Sequence, residues 1–206
     1  MKKLVLLFLI LATSIFGQPY QIVIFRHGEK MAAEGFVGDM DALLNAQGQQ
    51  RAAYLVNFLL QKQIIDQKEH PIGAIYVPRS SVKDLRGTYN YVRCTQTIIP
   101  LFQEANAYLK ERVHKNVAIH NQFSFDQAHE VLAHLMKQPF ERQTVVICWE
   151  HTEIPKLLTE QFEKLKISFP EIGKDIYDKV WVIRFEGDEP TGLTFTQVPA
   201  DGFNNP

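Results

Sequence analysis

Short runs of continuous apolar residues alternate along this chain with longer segments whose apolar positions recur every three or four residues. Residues 20–25 (YQIVIF), 74–77 and 144–149 (TVVICW) belong to the first kind. They are β-branched, short and without polar alternation, the pattern of strands buried on both faces. Residues 180–185 and 193–198 read as terminal strands. The second kind begins with residues 46–65, where Ala52, Leu55, Val56, Leu59 and Leu60 fall on one helical face. Residues 92–109 read as a helix containing Pro100, and residues 125–136 place Phe125, Ala128, Val131, Leu132, Leu135 and Met136 on one face. Residues 154–165 read as a helix that tolerates Pro155 in its first turn. Strand and helix in alternation predict an α/β three-layer sandwich, with a mostly parallel central sheet and helices on both faces. Residues 30–41 and 78–91 lack clean periodicity and are expected to be loops over a site.

A chain of 206 residues with this pattern suits one domain, and 46% hydrophobic against 22% charged residues excludes a disordered chain. The first segment stands apart. A basic start at Lys2 and Lys3, an apolar run over residues 4–12 and small residues up to Gly17 have the three parts of a secretory signal peptide. The expected division is therefore 1–17 as signal and 18–206 as a single domain, exported to the periplasm or secreted, with no stable membrane insertion after cleavage. The apolar run is short for a bilayer span. The formal net charge is −1, so no basic field exists to recruit nucleic acid. Two cysteines, Cys94 and Cys148, are too few for a disulfide framework; the two could pair with each other, and two buried free thiols are the favoured state.

The candidate chemistry lies where strands end. Ligands in open α/β sheets bind beyond the carboxyl ends of the strands. The first predicted strand runs into Arg26-His27-Gly28-Glu29, the strand over 144–149 runs into Glu150-His151-Thr152, and Arg93 opens the helix that follows the second strand. Two arginines and two histidines at one sheet edge make a cationic pocket. Guanidinium forks match phosphate oxygens in a bidentate way. Imidazole can attack phosphorus near neutral pH and then release the phosphoryl group. Gly28 allows a tight backbone turn beside the nucleophile.

These landmarks, in this order, resemble the histidine phosphatase superfamily, whose fold is phosphoglycerate mutase-like. The resemblance rests on Arg26-His27-Gly28 after the first strand, Arg93-Cys94-Thr95-Gln96-Thr97, His151 after a later strand, and the Leu-x-x-x-Gly-x-x-Arg-Ala pattern of residues 44–52. It implies an exported, bacterial-type phosphomonoesterase of the histidine acid phosphatase type. His27 would become phosphorylated, Arg26, Arg93 and His151 would hold the phosphoryl group, and water would release it. It implies no metal and no organic cofactor, and a small-molecule phosphate ester or phosphorylated substrate as partner. A phosphate-binding or scaffold protein on the same fold, and a phosphomutase, are the alternatives.

Two departures from the family pattern bear on substrate and mechanism. A longer stretch separates the second strand from Arg93 and reads as an insertion, which brings Arg79 and Arg86 into question as substrate contacts. The proton donor is open among Glu150, Asp126, Glu130 and Glu29. Adjacent side chains on an extended strand point to opposite faces, so Glu150 reaches His27 only if its strand has ended; it is ranked first. His129 and His134 are five residues apart, where a zinc-binding helix needs four. With His114 and His120 they are expected at the surface. Trp149 and Trp181 are expected in the core or pocket wall, and Tyr177 in a turn near the pocket.

Overall fold

The computed structural model describes residues 17–32, 39–61, 64–85, 87–166, 172–186 and 189–198. The expected signal segment, apart from Gly17, and Arg86 lie outside the described residues.

β1 (Gln21–Arg26) occupies the middle of a six-stranded sheet. Its neighbours are β6 (Thr144–Trp149), parallel, and β7 (Lys179–Glu186), antiparallel. β2 (Ile72–Tyr76) and β5 (Ala118–His120) continue the parallel side, and β8 (Glu189–Gln197) closes the other edge against β7. The order β5-β2-β6-β1-β7-β8 is mostly parallel, as the alternation of strands and helices predicts. β1, β2 and β6 are buried along their whole length. Continuous apolar runs are needed there because both faces are covered.

Alternation along each strand divides the sheet between two cores. Val23, Phe25, Ile75, Val146 and Cys148 face one side. There they meet Leu55, Phe58 and Leu59 of α1 (Ala46–Gln61) and Ile98, Leu101 and Ala105 of α2 (Arg93–Val113). Ile22, Ile24, Ala74, Val145, Ile147 and Trp149 face the other. Val131, Leu132 and Leu135 of α3 (Ala128–Leu135) cover them, with Leu157 and Leu158 of α4 (Ile154–Leu165). The result is the expected three-layer sandwich. Cys94 and Cys148 are free and buried in the first core. Trp149 and Trp181 are buried in the second.

The structure corrects the reading in three places. The region over 78–91 is not only loop: β3 (Ser81–Asp84) and β4 (Gly87–Asn90) form an antiparallel hairpin. Val82 and Tyr89 anchor it in the first core, and Tyr91 N–H donating to Ser80 O at 2.7 Å closes its base. β5 adds an edge strand too short and too exposed to carry an apolar signal. α3 starts at Ala128 rather than 125, because Gln127 turns back on Ser124, accepting from its N–H through Oε1 at 2.8 Å and donating its own N–H to its carbonyl at 3.0 Å.

Candidate active site

β1 and β6 end side by side, Arg26 opposite Trp149, so the residues that follow them share one edge of the sheet. β7 runs the other way and begins at that same edge, which brings Tyr177 to Arg26. α2 opens with Arg93 over the first core.

The turn after β1 is held by two glycines. A Cβ on Gly28 would lie 2.7 Å from Gly48 O. A Cβ on Gly48 would lie 2.2 Å from Glu29 O. Neither backbone could approach so closely with a side chain in place, which is the physical content of Gly48 in the pattern of residues 44–52. Asn45 caps the start of α1, its Oδ1 accepting from Gly48 N–H at 2.8 Å, while its own N–H donates to Glu29 O at 2.9 Å. Arg51, one turn further, reaches back to Glu29: Nε donates to Oε2 at 2.8 Å and a terminal nitrogen to Oε1. Both side chains are buried. Both Glu29 oxygens are thus taken by Arg51, so among the proton-donor candidates it is the one engaged elsewhere.

His27 is fully buried. Its Nδ1 lies 2.7 Å from Gly28 O, and its Nε2 accepts from Arg93 Nε at 2.9 Å. These partners assign the proton to Nδ1 and the lone pair to Nε2. Burial lowers the His27 pKa, Arg93 adds to that, and Glu150 and Gly28 O oppose it, so the ring is neutral at neutral pH. Gly28 N–H donates to Thr97 Oγ1 at 2.9 Å, and Thr97 donates to Arg93 O at 2.8 Å. The turn that carries His27 and the first turn of α2 are therefore locked together.

Glu150 reaches this centre because β6 has ended at Trp149. Its Oε2 lies 3.2 Å from His27 Nε2 and accepts from Arg93 at 3.1 Å and from the Tyr91 hydroxyl at 2.5 Å. His151 Nδ1 lies against its Oε1. Burial works to raise the Glu150 pKa, but its hydrogen-bonding contacts, His151 first and Tyr91 among them, prevail and hold it well below the usual carboxylate range. Tyr91 was not legible as a site residue. It is buried, stacks on Phe125 with ring centroids 5.4 Å apart, and lies under the Arg93 guanidinium at 4.2 Å.

Arg26 is buried beside this cluster but turned toward the segment before β7. It donates to Lys174 O at 2.5 Å, Ile176 O at 3.1 Å and Tyr177 Oη at 3.3 Å, with its guanidinium 3.9 Å from the Tyr177 ring centroid. Its Nε is buried with no hydrogen-bond partner among the described residues. The edge thus brings together His27, Arg93, Glu150 and His151, with Arg26 and Tyr177 alongside. Asp126 and Glu130 are exposed, and Arg79 is exposed and donates to Gln122 O. His114 and His129 are at the surface as expected. His120 and His134 are not: both are half-buried around Tyr76, which stacks on His120 at 4.4 Å and meets His134 Nδ1 through its hydroxyl at 3.0 Å.

No family model and no curated protein matches the sequence. Solved structures do match. SixA from Agrobacterium tumefaciens superposes with a TM-score of 0.51 at 14% identity, covering 85% of this chain and 97% of that one. The fold is phosphoglycerate mutase-like. Two further structures match with lower TM-scores. The protein histidine phosphatase SixA complexed with tungstate has a TM-score of 0.48 at 14% identity, covering 88% of this chain and 98% of its own. The phosphoglycerate mutase from Plasmodium falciparum has a TM-score of 0.41 at 15% identity, covering 86% and 88%.

Proposed function

We propose that this protein is a phosphoric monoester hydrolase that works through a phosphohistidine on His27. One observation carries the reading: the Nδ1 contact with Gly28 O and the Arg93 donor at Nε2 together hold a neutral imidazole with its lone pair in a cationic pocket. That is the state a nucleophile needs. In the first step Nε2 forms a bond to phosphorus, the P–O bond to the alcohol breaks, and the leaving oxygen takes a proton. In the second, water attacks phosphorus, the N–P bond breaks, and the proton returns to the acid as inorganic phosphate leaves. His27 keeps its Nδ1 proton throughout.

Arg93 and Arg26, with its buried Nε, supply the charge that phosphoryl transfer requires, and His151 stands beside them. Glu150 is the proposed acid, as the one carboxylate among the four candidates described at the nucleophile. The substrate class is a phosphate ester. The pattern of residues 1–17 supports export to the periplasm or beyond. A second reading, a protein that binds a phosphorylated ligand without turnover, draws on Glu150 lying against the nucleophile in ionised form. Hydrolysis of an aryl phosphate from acidic to neutral pH separates the two. The enzyme reading expects turnover by the wild type and its loss in His27→Ala; equal rates in both would sink it.

A further inference from the structure

Glu150 Oε2 stands 3.2 Å from the lone-pair nitrogen of His27. A phosphorus atom poised for attack by that nitrogen must lie about 3–3.5 Å from it. The carboxylate oxygen thus stands at the distance from that nitrogen that a reacting phosphoryl group must take, and crowds its approach. The two groups also compete for the same partners, since Glu150 takes Arg93 on one oxygen, where Tyr91 donates to it as well, and lies against His151 with the other. The carboxylate is held there firmly. Tyr91 is fixed between Phe125 and the Arg93 guanidinium, and only 11% of the Glu150 side chain is exposed. Two anions cannot share such a seat in ionised form.

We infer that Glu150 is a resident anion in the phosphoryl seat, held by Tyr91, which an incoming phosphoryl group must displace before His27 can attack. This rests on the proposed role of His27. It also gives the acid its timing. In the free site Glu150 is ionised and donates nothing. Displaced beside a phosphoryl dianion, it is driven to bind a proton, and can then pass it to the leaving oxygen.

The consequence is a binding cost that the protein imposes on itself, and its sign is testable. Inorganic phosphate is titrated calorimetrically into the full chain and into the variants Glu150→Gln, Tyr91→Phe and Arg93→Ala. Removing the resident charge while keeping the shape should tighten phosphate binding by at least roughly tenfold. Tyr91→Phe removes one hydrogen bond to a charged group, so it should tighten binding by about tenfold, and it serves alone if Glu150→Gln does not fold. Turnover of Glu150→Gln should fall although its affinity rises. A carboxylate that merely supports the pocket gives the opposite sign, weaker phosphate binding in both variants. Unchanged or weaker binding overturns the inference. If Arg93→Ala meanwhile loses phosphate, the phosphate-seat reading survives. Absence of phosphate binding by every form overturns both.

Discussion

Replacing Arg51 with Ala should destabilise the protein severely without touching His27. The Arg51 and Glu29 side chains are 7% and 11% exposed, and the pair is bidentate. Truncating one partner leaves a carboxylate buried without its counter-charge, which costs about 3–5 kcal/mol. For a domain of this size each kcal/mol moves Tm by about 2–4 °C, so a fall of roughly 6–20 °C is expected. Arg51 makes further contacts, so the pair itself is isolated by a double-mutant cycle with Glu29→Gln. Urea unfolding of the four proteins should give a coupling of about 2–3 kcal/mol, with the double variant more stable than Arg51→Ala alone. A loss under about 1 kcal/mol, or strict additivity, would show that the pair is dispensable and that the turn after β1 is held by the glycines alone.

Gly48→Ala should lower stability by about 2 kcal/mol or more, because the new methyl group would overlap the Glu29 carbonyl at 2.2 Å; chemical unfolding measures it, and an unchanged midpoint would mean the two backbones can part freely. The pH profile follows from His27. Its pKa lies below the ordinary 6.5, chiefly through burial, so the imidazole stays unprotonated as pH falls through that value. The acid limb of kcat/KM assigned to His27 should lie below 6.5. In the same window the unfolded chain binds a proton that the native state refuses, so the His27 contribution to stability declines as pH falls below 6.5. Unfolding measured against pH should show a shallower decline in His27→Gln, and an identical slope would remove His27 as its source.

The sequence pattern located what burial on both faces makes visible. β6 and α4 fall on the predicted residues, and β1 within one residue at each end, because continuous apolar runs and a strong helical stripe leave little choice of register. The hairpin of β3 and β4 escaped because its four-residue strands are largely charged and polar, with Leu85 fully exposed at its tip. The site divides the same way. His27, Arg93, Glu150 and His151 were legible because each sits at the end or start of an element, where position along the chain fixes position in space. Glu29 could not be separated from the other acids, since its partner Arg51 is 22 residues away and found only by the close approach of Gly28 and Gly48. Tyr91 carried no signal either: its role depends on a hydroxyl meeting Glu150 across 59 residues.

The central claim is that phosphorus becomes bonded to His27. The direct measurement is a rapid alkaline quench during turnover of a labelled phosphate ester, followed by peptide mapping; alkali is needed because phosphohistidine is lost in acid. The account predicts label on the peptide carrying His27 at up to one equivalent per chain, decaying as phosphate is released and absent from His27→Ala. Turnover with no protein-bound label at any time, retained in His27→Ala, would contradict it.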